Sequence, residues 1–216
     1  MATSPSAITD VEAVNRILST VGGEKIASLS SLSLIADSAY TDLKNSMRDL
    51  MSHPWGFNTE YEVELTASGS GKIDAPADAS MVDLAPQHAG SLDIIVRDDG
   101  GTRRLYDRKE HTFAAFTASS TKKFTISYYL DFADMPESAK IYAIAMAAVN
   151  FQATQVGNAQ IDQILRAQLV AARGAFEAYE ATQETWTIFG NYDFYKVVRQ
   201  AQRPQIGTGS AWWGTR

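Results

Sequence analysis

Apolar and polar positions along this 216-residue chain follow two periods, 3.6 towards both ends and 2 in the middle. Thr9-Asp10-Val11-Glu12 has the form of a capping box, a hydroxyl at the N-cap and a glutamate three residues on. Val14, Ile17, Leu18 and Val21 follow at helical spacing and predict a first helix, stopped at Gly22-Gly23, where a left-handed backbone costs glycine nothing. After a serine-rich linker, Ile35, Ala39, Leu43, Met47, Leu50 and Met51 predict a second amphipathic helix, with Asp37, Asp42, Lys44, Arg48 and Asp49 on its other faces. Pro54 disfavours helical geometry at His53, so that helix ends there and Trp55-Gly56-Phe57-Asn58 is extended.

From Glu60 the period drops to 2. Tyr61, Val63 and Leu65 alternate with Glu60, Glu62 and Glu64, the pattern of a strand with one wet face. Ser68-Gly69-Ser70-Gly71 is a turn, and further strands are expected at 92–97, 103–106, 111–115 and 123–130, with Asp98-Asp99-Gly100-Gly101 as a hairpin signal. No helix long enough for a parallel crossover separates these strands, so an antiparallel meander is expected.

Helix resumes at Asp134-Met135-Pro136-Glu137, with proline near the first helical position and acidic groups at the positive end of the dipole. The stretch to Gln152 is alanine-rich and apolar nearly all round, which requires burial on most sides, either within the monomer or between copies of it. Beyond Val156-Gly157-Asn158, residues Ile161, Ile164, Leu165, Leu169, Phe176 and Tyr179 mark a helix running to about Glu184, some 25 residues or ~37 Å. Past Thr185 periodicity is lost, and a Gly/Pro/Gln-rich tail carries Trp186, Ile188, Phe189, Tyr192, Phe194, Tyr195, Trp212 and Trp213. Bulky aromatics without a core of their own suggest an arm that docks on another surface; the plainer reading folds the first aromatics back on the helices and leaves the end frayed. The expected fold is α+β: a helical body formed discontinuously by 1–57 and 134–185, an inserted antiparallel β region at 58–133, and an extended C-terminal arm at 186–216.

Composition narrows the functions available. Without cysteine, disulfides, thiolate nucleophiles and cysteine-ligated metals are excluded, and a net charge of −6 argues against a protein whose work is gripping nucleic-acid phosphates. Met1 to Ser6 has the features of no secretory signal, so cytosolic synthesis is expected, and the longest apolar run, Ile141 to Val149, is well short of the ~20 residues that cross a bilayer.

Chemical motifs are few. His53, His88 and His111 are too far apart for a metal site, and Gly69-Ser70-Gly71-Lys72 departs from a P-loop because Thr66 and Ile73 stand where glycine and a hydroxyl are needed. Carboxylate pairs from Asp131 and Asp134, or from Glu60, Glu62 and Glu64, could serve glycoside hydrolysis, though a helix cap and a solvated strand face account for them. Arg97, Arg103, Arg104, Arg108, Lys109, Lys122 and Lys123 gather in the β region, either for an acidic partner or to keep strand edges apart. No catalytic, cofactor-binding or metal-ligating residue is assigned.

Four stretches, in order and at matching spacing over roughly residues 10–160, resemble the tail tubular protein A, or head-to-tail adaptor, family of short-tailed bacteriophages. They are Val14-Asn15 to Val21-Gly22; Trp55-Gly56-Phe57-Asn58-Thr59-Glu60; Arg104-Leu105-Tyr106-Asp107; and Asp131-Phe132-Ala133-Asp134-Met135-Pro136 followed by Tyr142 and Phe151-Gln152. The chain departs from the family pattern at Met146 and Val149, where arginines are expected, and at Ala133, where an acidic residue is usual. The resemblance implies a non-enzymatic virion protein forming a ring, with twelve copies as the implied number, between the portal protein and the tail nozzle (a tubular protein B-like partner). DNA would pass through the ring without specific binding, and the protein would reside in the virion tail after synthesis in the host cytoplasm. The helix apolar on most sides is expected to supply the subunit interface, at Ile141, Ile144, Met146, Val149 and Phe151, and the arm, which no family motif covers, is expected from its composition alone to bind the portal through Trp186, Phe189, Tyr192, Phe194, Tyr195, Trp212 and Trp213. A tail-associated glycan hydrolase using a carboxylate pair and a cytosolic self-assembling binding module are the alternatives from other classes.

Overall fold

A computed structural model describes residues 6–85 and 92–183, all within one compact unit that ends at Gln183. Local chemistry sets the first two helices. Thr9 and Glu12 close the capping box from both sides of the start of α1 (Asp10–Ser19), and Gly22 at φ +72° turns the chain while Gly23 N–H donates to the Leu18 carbonyl at 2.9 Å. The Ser33 hydroxyl accepts the Ala36 N–H at the start of α2 (Leu34–Met51). A 3-10 turn at Gly56–Asn58 leads into β1 (Thr59–Thr66), followed by β2 (Ala79–Leu84), β3 (Ile94–Asp99), β4 (Thr102–Asp107) and β5 (Thr121–Tyr128). A second 3-10 turn at Phe132–Asp134 returns the chain to α3 (Glu137–Gln155) and α4 (Ala159–Gln183). The α+β class agrees with the sequence pattern.

The strand order does not. β5 lies between β1 and β2 in an antiparallel three-stranded sheet, and β3 pairs with β4 in a separate hairpin, so the expected meander is replaced by a sheet whose central strand comes last in sequence. Composition explains the arrangement: β5 carries Phe124 and Ile126, both fully buried, while β1, laden with glutamates, is better placed at an edge where charge discourages further pairing. The expected strand at 111–115 is a loop with a single bridge, Asp107 to Thr112; its apolar residues are used otherwise, Phe113 against the Tyr106 ring and Phe116 against Phe124. β2 was not legible because its alternation is confined to Val82 and Leu84.

β1 is also not the regular strand its alternation suggests. Tyr61 and Glu62 together stand opposite Thr125, a bulge in which Glu62 takes φ +58°. The extra residue shifts the side-chain phase, so Val63 and Leu65 pack on the β core while Tyr61 is 66% exposed.

Two hydrophobic clusters result. One joins α1, α2 and α3 with Phe132, Met135 and Phe176; the other fills the β region around Ile73, Leu105, Phe124 and Ile126. Asn58 ties them together: its Oδ1 accepts the Trp55 N–H at 2.8 Å, and its Nδ2 donates to the carbonyls of Met51 and Tyr128, each at 3.2 Å. α3 touches α1, α2 and α4, which accounts for a helix apolar nearly all round within a single chain.

Candidate assembly interface

The end of α4 is fastened by aromatic rings and one carboxylate. Fully buried Phe176 meets Trp55 edge-on at 4.8 Å and Phe57 at 5.9 Å, and stacks on Tyr142 at 5.7 Å. One turn on, buried Glu180 accepts the Gly56 N–H at 2.6 Å. A Cβ at Gly56 would stand 3.2 Å from the same carboxylate oxygen, so the close approach favours glycine. Trp55 is in turn held by its indole N–H, which donates to the Leu50 carbonyl. Near its start α4 is held more lightly, by Leu165 against Ala148 and Val149.

The residues expected at a subunit interface divide. Ile144 and Phe151 are in the core of this chain, and Val149 lies under α4; Ile141, at 41%, keeps substantial exposure, and Met146 is half-buried. The position of α3 between its neighbours consumes most of the surface that the sequence leaves open to assembly. All seven arm residues, Trp186, Phe189, Tyr192, Phe194, Tyr195, Trp212 and Trp213, lie outside the described residues, as does His88.

In the β region charge is used internally. Five of the seven basic residues singled out there have partners: Arg103 donates to the carbonyls of Ala77 and Ala79, Arg104 bridges Asp74 and Asp99, Arg108 pairs with Asp93, Lys123 with Glu62, and Arg97 lies over the Tyr106 ring. Lys72 also reaches Asp99, at 2.8 Å, so this lysine of the glycine-rich turn has a structural partner. Hydrogen bonds from Lys72 and Arg104 hold the Asp99 carboxyl below the usual carboxylate range. Gly71, at φ +73°, has no space for a Cβ, which would meet the Phe116 carbonyl oxygen; this glycine serves chain packing. Asp107 is buried and accepts backbone N–H bonds from Lys109 and Asp93, the first of which chiefly lowers its pKa.

The residues that carry the resemblance therefore hold the framework. Asn58 and Trp55 join the two cores, Asp107 staples a β loop, and Tyr142 and Phe151 belong to the helical cluster. Asp131 and Asp134 sit exposed on a 3-10 turn, and among the described residues no cluster of His, Cys, Asp and Glu is suited to a metal ion. No helix among them is long and apolar enough to cross a membrane.

Among its exposed charges the helical body also leaves large apolar side chains open. Leu34 is 89% exposed, Ile164 60% and Val170 72%, with Ile35 and Val156 also uncovered. Assembly fits such a surface better than catalysis does. No curated protein matches the chain. The family model for tail tubular protein matches residues 11–186, spanning both cores and all four helices, and the chain therefore belongs to this family of bacteriophage tail structural proteins.

Proposed function

We propose that this chain is the head-to-tail adaptor: copies of it, twelve by the family resemblance, form a ring between the portal and the tail nozzle, and DNA leaves the capsid through that ring. The observation that carries this reading is α4, a 25-residue helix of which Leu165, Phe176 and Glu180 are the buried residues, on a chain whose family assembles into tails. So much uncovered helix in a structural protein is surface for neighbouring molecules. An acidic chain whose β-region cations are largely occupied by carboxylates and carbonyls would let DNA slide instead of holding it. Within the ring, the helices face the portal and neighbouring copies, the β region faces the nozzle, and the arm grips the portal through Trp186, Phe189, Tyr192, Phe194, Tyr195, Trp212 and Trp213. Large aromatics give such an arm much buried area at low side-chain entropy. The role is non-enzymatic.

Quantitative mass spectrometry of purified virions tests the reading. A near one-to-one ratio of this chain to the portal protein is expected, and absence of the chain from the particle overturns it. Deleting residues 207–216 should weaken portal attachment and leave the remaining chain folded; unchanged attachment would remove the arm from the account.

A further inference from the structure

Helix α4 has a buried side, marked by Leu165, half-buried Leu169, Phe176 and Glu180, and an opposite side that carries no charge. At 100° per residue that outer side is Gln160, Gln163, Ile164, Ala167, Val170, Ala171, Gly174, Ala178 and Ala181, all exposed and none of them charged. The four surface charges of the helix lie along one flank, beside Val170, and each is already neutralised by a partner one turn away: Asp162 with Arg166 and Arg173 with Glu177, both at 2.7 Å. Gly174 has open space where a Cβ would be, and with the alanines it lets another backbone come close.

Further exposed apolar residues lie at the same end of the helical body as the start of α4. Gln155 of α3 donates to Ser38 of α2, so the start of α2, with exposed Leu34 and Ile35, shares that end with Val156 and the α3–α4 turn. No charged residue occurs from Ile26 to Ala36 or from Ile141 to Ile161, and exposed Asp37, one turn from Leu34, borders this ground. This pole lies away from the β region, because the other ends of α2, α3 and α4 are those tied to the two 3-10 turns flanking the strands.

We infer that the outer side of α4, together with the Leu34–Ile35–Val156 pole, is where a second copy of the chain packs; the inference rests on the ring reading above and relocates its subunit contact from α3 to α4. Charge favours a second copy here. Each copy carries −6, so a contact between copies through most faces opposes like charges, whereas the outer side of α4 brings no net charge to the different surface that a neighbour presents in a ring. Area agrees: a 25-residue helix offers a strip of about 37 Å by 10 Å, on the order of 400 Å². That is half of the roughly 800 Å² that each partner gives to a stable interface, and the adjoining pole supplies more.

The absence of cysteine makes a clean test possible. Val170→Cys and Ile164→Cys, each labelled in the full-length chain with a maleimide–benzophenone cross-linker, are irradiated both in purified particles and as purified protein. The expected product is a dimer of this chain from either position, and Ile164→Glu combined with Val170→Cys should lower its yield at least about tenfold, the effect of a buried unpaired charge. Thermal melting of each variant should match the parent, since neither side chain packs within the monomer. Capture of no second copy, or of another protein alone, overturns the inference. If particles hold the chain at the portal's stoichiometry and the probe still misses a second copy, the ring stands and this surface is wrong; if the stoichiometry fails, dimer capture by the purified protein decides the surface alone.

Discussion

Helices α3 and α4 lie side by side and solve opposite problems. α3 is apolar nearly all round and is covered on three sides by α1, α2 and α4; Ala139, Ala143 and Ala147, spaced by four and fully buried, let those neighbours approach closely. α4 is six residues longer, buries one narrow stripe and leaves the rest to solvent. Hydrophobicity alone would have sent assembly to α3. The comparison teaches that an apolar helix marks the centre of a monomer when neighbours surround it, and that a weaker apolar signal on a peripheral helix carries the free surface.

The contrast can be broken most severely at Phe176, the ring that anchors α4. Phe176→Ala removes three aromatic contacts from a fully buried position and should destabilise the unit by about 3–5 kcal/mol, read by denaturant titration. A loss under 1 kcal/mol would mean that the latch is dispensable. A matched pair sharpens the comparison at intermediate scale. Ala143→Leu overfills the α3 seam and should cost about 1–3 kcal/mol, whereas Ala171→Leu on the outer side of α4 should stay within about 0.5 kcal/mol of the parent. Equal costs at the two sites would contradict the assignment of inner and outer sides. The most local effect is expected at the helix start: Asn158 Oδ1 accepts the N–H groups of Gln160 and Ile161, while α3 begins at Pro136 with no side-chain cap. Asn158→Ala should therefore cost about 1 kcal/mol, with faster amide exchange confined to the first turn of α4.

Much of the helical body was legible because its signals are local. The Thr9–Glu12 box, Pro54, the Pro136 start and the Gly157 break each act within a turn of the helix, and the observed boundaries fall close to them. The Gly100–Gly101 hairpin was legible for the same reason, since both residues take positive φ. Non-local pairings were not. Nothing near Thr121 announces that β5 will separate β1 from β2, and the bulge that turns Tyr61 outward arises from the register with β5. The candidate surface was half legible: Ile164 fits the apolar spacing of α4 yet lies on its outer side, and nothing in the residues around Leu34 marks it as uncovered.

By itself the sequence determined where helices start and stop, the change of period that separates helix from strand, the absence of thiol chemistry and the acidic balance, because propensity, capping and composition are properties of neighbouring residues. Tertiary structure alone decided which helix is central, which strand is central and which apolar side chains stay uncovered. Burial depends on what the rest of the chain places against a residue, and two helices of similar composition differ in fate once one of them has neighbours on three sides.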